Sequence, residues 1–265
     1  MAQMVGFSAR TLLAMFAAAW ALSVPAQADD FVRSALRASG ADAKDAANWQ
    51  AAYDRQKSEI LTAELLSLPP PERLAAIQQA LHERILTGKY RREATDLRIT
   101  LGCGDYNCLS ATALCYDLCR AAGVELEIWS RPGHVWLQTA DGEIVEPLKS
   151  PSRANQAAGA EVLLGRRITP QALLGKFYYN RGVQLLEQQQ YAAALELLRQ
   201  AAVLDPQDQD ARENLLAGLN NWAAEHLRAR RYSEAAKLIR QGLAIEPAYG
   251  PLVANQRLLP GERGR

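Results

Sequence analysis

Histidine is scarce in this chain of 265 residues: His82, His134 and His226 are all there are. Any imidazole base must be one of these three. Surplus charge is scarce as well, with 30 Lys and Arg against 29 Asp and Glu and a formal net charge of +1. That balance argues against nucleic acid as a partner, which would favour a basic patch. Cysteine occurs at four positions, crowded into one stretch: Cys103, Cys108, Cys115 and Cys119. The only extended apolar run, Leu12 to Leu22, is too short for a bilayer, which needs about 20 residues.

That run reads as part of a leader. Arg10 is the only charge before residue 29, and Pro25-Ala26-Gln27-Ala28 supplies the Ala-x-Ala pattern that signal peptidase cuts after. The expectation is a signal peptide over 1–28, cleaved after Ala28, in a protein of the bacterial periplasm or the cell exterior. An uncleaved anchor helix is the alternative. No Cys lies near the cut to carry a lipid. No integral membrane span is expected after cleavage, and the charge lost with the leader leaves the remainder neutral.

Four cysteines in an exported protein would ordinarily pair. If Cys108 stays free to react, one disulfide from Cys103 to a helix cysteine would leave one buried thiol. Spacings of five, seven and four lack the paired C-x-x-C knuckles of common zinc sites, so no metal is expected.

The rest of the chain divides into three. Residues 29–100 read as a helical segment. Ala41 to Leu66 has apolar residues at helical spacing until Pro69-Pro70-Pro71 stops it. A second amphipathic helix then carries Leu74, Ile77, Leu81 and Ile85 on one face and ends near Gly88. Residues 101–165 form a core in which the period changes. A helix from Cys108 to about Ala122 stops at Gly123, Val124 to Trp129 alternates as a strand, and Val135–Thr139 and Glu143–Val145 read as a hairpin across Ala140-Asp141-Gly142. Residues 172–249 contain a repeat. Asn180 and Asn221, Tyr191 and Tyr232, Ala194 and Ala235, Leu204 and Ile245, and Pro206 and Pro247 pair at an offset of 41. Each unit reads as two helices. The pattern resembles tetratricopeptide repeats, whose period is about 34. The extra residues are expected to lengthen a helix from about Asp208 to Arg230, and the tail over 250–265 is expected to fray.

Cys108 is the candidate nucleophile. A thiol attacks as thiolate, which a helix N-terminus or a neighbouring imidazolium favours. Asn107 suits an N-cap, which places Cys108 in the first turn, where free N–H groups could also hold an oxyanion. The candidate base is His134, set on a strand after Pro132-Gly133. Glu146 is the candidate third residue that orients the ring. A two-residue turn at Asp141-Gly142 would put Glu146 on the face opposite His134. A three-residue turn with Gly142 left-handed puts both on one face, and this is the expectation. Trp129 and Arg131 flank the site; a structural role is the expectation for each, and contact with substrate is the alternative.

Residues 101–150 resemble the core of the transglutaminase-like superfamily. The nucleophilic Cys there opens a helix, as Cys108 does, with a Gly about fifteen residues on, as at Gly123. A strand beginning His-x-Trp follows, as His134-Val135-Trp136, and an acid-Pro pair closes the next, as Glu146-Pro147. The third residue there is typically Asp, so Glu146 departs from the pattern, as does Asn107-Cys108-Leu109-Ser110 around the nucleophile. The resemblance implies an α+β fold with a papain-like core, in which N-terminal helices and a catalytic helix pack on a small antiparallel sheet. An all-α region of repeats follows, a pairing found in a bacterial subgroup. It further implies a peptidase or amidase without cofactor, working through a thioester on a protein or peptide substrate with Cys108, His134 and Glu146, and Asn107 at the cap and oxyanion position. An acyltransferase resolved by an amine, and a non-catalytic module that binds a protein partner on the repeats, are the rival expectations.

Overall fold

The computed structural model describes residues 31–148 and 165–260. The expected signal peptide and its cleavage site lie outside the described residues, as does part of the expected 101–165 core. The chain is mixed helix and sheet and divides into two compact units, one within Asp29–Arg181 and one from Gly182 onward.

The first unit opens with α1 (Phe31–Ala38), α2 (Ala43–Ile60), α3 (Ala63–Ser67) and α4 (Pro70–Arg84). The helix expected over Ala41–Leu66 is broken in two. Thr62 leaves the helical region and its hydroxyl caps the Leu65 N–H at 3.3 Å, the competition with helix that Ser and Thr hydroxyls offer. Pro70 occupies the first turn of α4, where a missing N–H costs nothing. Leu74, Ile77, Leu81 and Ile85 face the core as their spacing predicts.

After α5 (Leu97–Cys103), helix α6 (Cys108–Ala121) runs through the centre of this unit and is buried along most of its length. Its Asp117 is 4% exposed and accepts from Tyr53 Oη at 2.9 Å and Lys57 Nζ at 2.7 Å. A buried carboxylate is tolerated only when paired in this way, and the pairing ties α2 to α6. Burial first, and then Asp117, pushes the Tyr53 phenol well above its ordinary value.

The sheet is four-stranded and antiparallel, in the order β3-β2-β1-β4, with β1 Glu127–Arg131, β2 His134–Gln138, β3 Ile144–Val145 and β4 Arg166–Ile168. The strand expected from Val124 begins later. Gly123 is left-handed, its N–H bonds to Arg120 O, and the Val124 N–H bonds to Cys119 O at 2.8 Å. This helix stop uses the N–H that a strand at Val124 would need. Strand β4 was not expected: three residues are too few to show alternation.

All four cysteines are free, so the expected disulfide is not formed. Cys103 is exposed and its thiol donates to Ile99 O at 3.2 Å. Cys115 and Cys119 are buried on one face of α6 with their sulfurs 4.0 Å apart. Residues i and i+4 of a helix hold their Cβ atoms about 5–6 Å apart, beyond the reach of a relaxed disulfide.

Helix α7 (Pro170–Glu187) leads into the second unit, which contains α8 (Tyr191–Leu204), α9 (Gln209–Arg228), α10 (Tyr232–Ile245) and α11 (Gly250–Gln256). The 41-residue offset reappears in the backbone: Gln189 and Arg230, two residues before α8 and α10, are left-handed with φ of 58° and 57°. Ala194 and Ala235 are fully buried where the helices approach. The extra length lies in the first helix of each repeat: α9 has 20 residues and its counterpart α7 has 18, against 14 in α8 and α10. The tail expected to fray does not begin at Gly250. α11 follows, and its Leu252 is fully buried against Gly242, whose lack of a side chain leaves the room.

Candidate functional site

Cys108 is the first residue of α6, as the Asn107 cap requires. The Asn107 side chain accepts from the Ser110 N–H at 3.0 Å, and Ser110 Oγ accepts from the Asn107 N–H at 3.1 Å. This reciprocal cap satisfies two orphan donors and fixes the helix start. Asn107 Nδ2 donates to Arg92 O at 3.1 Å, and the residue is 4% exposed. Its amide is thus tied at both ends, so the structure gives Asn107 the part of a cap and not that of an oxyanion donor. The N–H groups of Cys108 and Leu109, by contrast, make no hydrogen bond among the described residues.

The base and the carboxylate come from the hairpin. Gly142, at φ +93°, closes a three-residue turn: its N–H donates to Thr139 O at 3.0 Å, and the Thr139 N–H donates to Glu143 O at 2.9 Å. The register continues through Gln138 opposite Ile144 and Leu137 opposite Val145. Extended by one step, it places Glu146 beside Trp136, on the face that His134 shares. His134 Nε2 and Glu146 Oε1 are 3.0 Å apart. Cys108 stands close enough to the same ring to head the causes that raise its pKa. Three residues spread over 39 positions of sequence thereby gather in one cluster.

The imidazole is further held by stacking. It lies 5.7 Å from the Trp136 ring at 17°, and Trp136 lies 6.3 Å from Trp129 at 22°. Trp136 is 1% exposed, and its indole fills the space above Gly165, where any side chain would collide with it. Trp129 and Arg131 are strand residues of β1, with Arg131 opposite His134 across the two-residue turn at Pro132-Gly133. Cys108 first, and then the hydrogen bond with Glu146, raises the His134 pKa from 6.5 to about 9, against the opposing effect of desolvation. At neutral pH the ring therefore carries both protons.

Tyr90 also stands beside this cluster, and no local pattern marks it. It is 52% exposed and pairs through a single parallel bridge with Tyr106, two residues before Cys108. The other histidines are elsewhere in their units: His82 is half-buried edge-on to Tyr106, and His226 accepts from Arg231 Nε at 2.9 Å.

In the second unit, Tyr191 stacks on Trp222 at 6.2 Å and 15°. An open hollow of about 380 Å³ lies there, lined among others by Gln190, Tyr191, Trp222 and Glu225. It sits where α9 outruns the shorter α8.

Residues 175–208 match the tetratricopeptide repeat. The match takes in most of α7, all of α8 and the turn after it, which is the first of the two units related by the 41-residue offset. No curated protein and no solved structure matches the chain. The tetratricopeptide repeat supports a role in protein binding for the helical region. No helix among the described residues is long and apolar enough to cross a membrane.

Proposed function

We propose that this protein is a transglutaminase-like cysteine hydrolase that cleaves an amide in a protein or peptide, with the tetratricopeptide repeat engaging a protein partner. The observation that carries this reading is the grouping of Cys108 at a helix start with the hydrogen-bonded pair His134 and Glu146. A doubly protonated imidazole beside a thiol at a helix N-terminus favours a thiolate–imidazolium pair. The thiolate attacks the amide carbon, and the carbonyl π electrons move to oxygen. The tetrahedral intermediate collapses to a thioester as His134 gives its proton to the leaving amine. The neutral ring then takes a proton from water, which attacks the thioester and releases the carboxylate. Glu146 keeps the ring in its tautomer and orientation. The Ala-x-Ala pattern at 26–28 supports export of this hydrolase to the periplasm or the cell exterior, and a secreted product beginning at Asp29 is the expected mass-spectrometric result.

Cys103 serves as an internal reference for the test. Iodoacetamide should label Cys108 faster than Cys103 at pH 6, and His134→Ala should abolish the difference. Equal labelling in the parent protein would overturn the hydrolase reading. A second reading, binding without catalysis, is favoured by the repeat match at 175–208. It predicts that Cys108→Ala leaves both partner capture and the cellular phenotype intact. Release of carboxylate rather than incorporation of an added primary amine separates hydrolysis from acyl transfer.

A further inference from the structure

An acyl-transfer site must neutralise the oxyanion, and one set of backbone N–H groups is seldom the whole arrangement. Asn107 is committed to Ser110 and Arg92. Trp136 Nε1 has no hydrogen-bond partner among the described residues, but it is sealed in the core, out of reach of an incoming carbonyl. Tyr90 differs on both counts. Its side chain is exposed, and its hydroxyl makes no hydrogen bond among the described residues.

The backbone flanking Tyr90 is laced to the residues that lead into Cys108. The Gly88 N–H donates to Gly104 O at 3.0 Å, the Tyr106 N–H to Lys89 O at 3.1 Å, and the Arg91 N–H to Tyr106 O at 2.8 Å. Asp105 Oδ1 accepts from the Lys89 N–H at 2.7 Å, and its other oxygen pairs with Arg91 Nε. The Tyr90 ring meets Tyr106 edge to face at 6.2 Å and 82°. The backbone on either side of Tyr90 is therefore held relative to the start of α6, and the contact with Tyr106 orients its ring. Its hydroxyl lies within electrostatic reach of Cys108 and of Glu146.

We propose that the Tyr90 hydroxyl is the second donor of the oxyanion site, beside the N–H groups at the start of α6. The inference rests on the cysteine-hydrolase reading. As the thiolate adds to the carbonyl and the oxygen takes up the electron pair, the phenol donates its hydrogen bond to that oxygen without losing its proton. Burial first, and then the charge on Cys108, raises the phenol above its ordinary value, which keeps it a donor across the neutral range. The phenol ring also presents an exposed aromatic surface, so the acyl group it orients is one that can lie against an aromatic face.

Two reagents separate this role from a structural one. p-Nitrophenyl acetate acylates Cys108 through a tetrahedral oxyanion and expels p-nitrophenolate. Iodoacetamide alkylates the same sulfur by displacing iodide from a saturated carbon and builds no charge on oxygen. In the full chain, Tyr90→Phe should slow acetylation of Cys108 by about 10²-fold, the usual cost of one oxyanion donor, and leave alkylation unchanged. Unchanged acetylation, or a parallel fall in both rates, would overturn the assignment while leaving the hydrolase reading in place. If neither reagent favours Cys108 over Cys103 in the parent protein, the hydrolase reading falls and the assignment with it.

Discussion

His134 holds its proton to about pH 9 in the folded chain, against 6.5 ordinarily, so the folded state binds that proton more tightly than the unfolded state does. The sign follows: the stabilisation is complete below pH 6.5 and is lost as pH rises through 9. Its side chain is 21% exposed, and after a discount for solvent screening the loss is about 1–2 kcal/mol. Urea unfolding at pH 6 and at pH 9.5 should therefore show the parent protein losing that much more stability than His134→Ala. Equal losses in the two proteins would mean that the ring is not protonated by its neighbours. Glu146→Gln offers a direct check. It removes the carboxylate but keeps the hydrogen-bonding shape, and the NMR titration midpoint of His134 should move from about 9 toward 6.5.

Helix α6 owes its first turn to Asn107. Asn107→Ala removes the reciprocal cap with Ser110 and leaves the Arg92 carbonyl without its donor, at a cost of about 1–2 kcal/mol in chemical denaturation. Alkylation of Cys108 should slow in the same variant, because the residue it loosens is the first of the helix. Asn107→Asp keeps the cap but offers no donor to the Arg92 carbonyl and sets a negative charge beside the thiol, so it should recover only part of the stability and little of the alkylation rate. The cap was legible because N-cap preference is local, set within four residues. The hairpin register was legible for the same reason: Ala140-Asp141-Gly142 fixes which face Glu146 takes before any tertiary contact forms. Other features depend on partners distant in sequence and leave no local mark. Tyr90 reaches the site through one bridge to Tyr106, and β4 pairs with β1 from across 35 positions of chain. The break between α2 and α3 is local, but a single Thr hydroxyl is a weak signal against a long helical pattern.

The repeat region shows how the pieces close. An offset of 41 was visible in paired residues, and the structure ties it to paired left-handed positions at Gln189 and Arg230 and to a lengthened α9. Stacked repeats expose an apolar face at their end unless a terminal element covers it. Composition after Gly250 reads as Pro-, Gly- and Arg-rich, which conceals the short apolar run around Leu252. That leucine is fully buried, and Gly242 on α10 gives it room, with Leu219 of α9 close by. Helix α11 is therefore the cover of the array and not a loose tail. Leu252→Ala should cost about 2–5 kcal/mol, the range for emptying a buried leucine site, and should lower the thermal midpoint accordingly. A solvated tail predicts almost no change, since truncating an exposed leucine removes little buried area. Gly242→Ala attacks the same contact from the other side. Its new methyl would collide with Leu252 Cδ1 and force α11 outward. If α11 covers the array, the two substitutions act on one contact, and the double variant should lose less than the sum of the single losses.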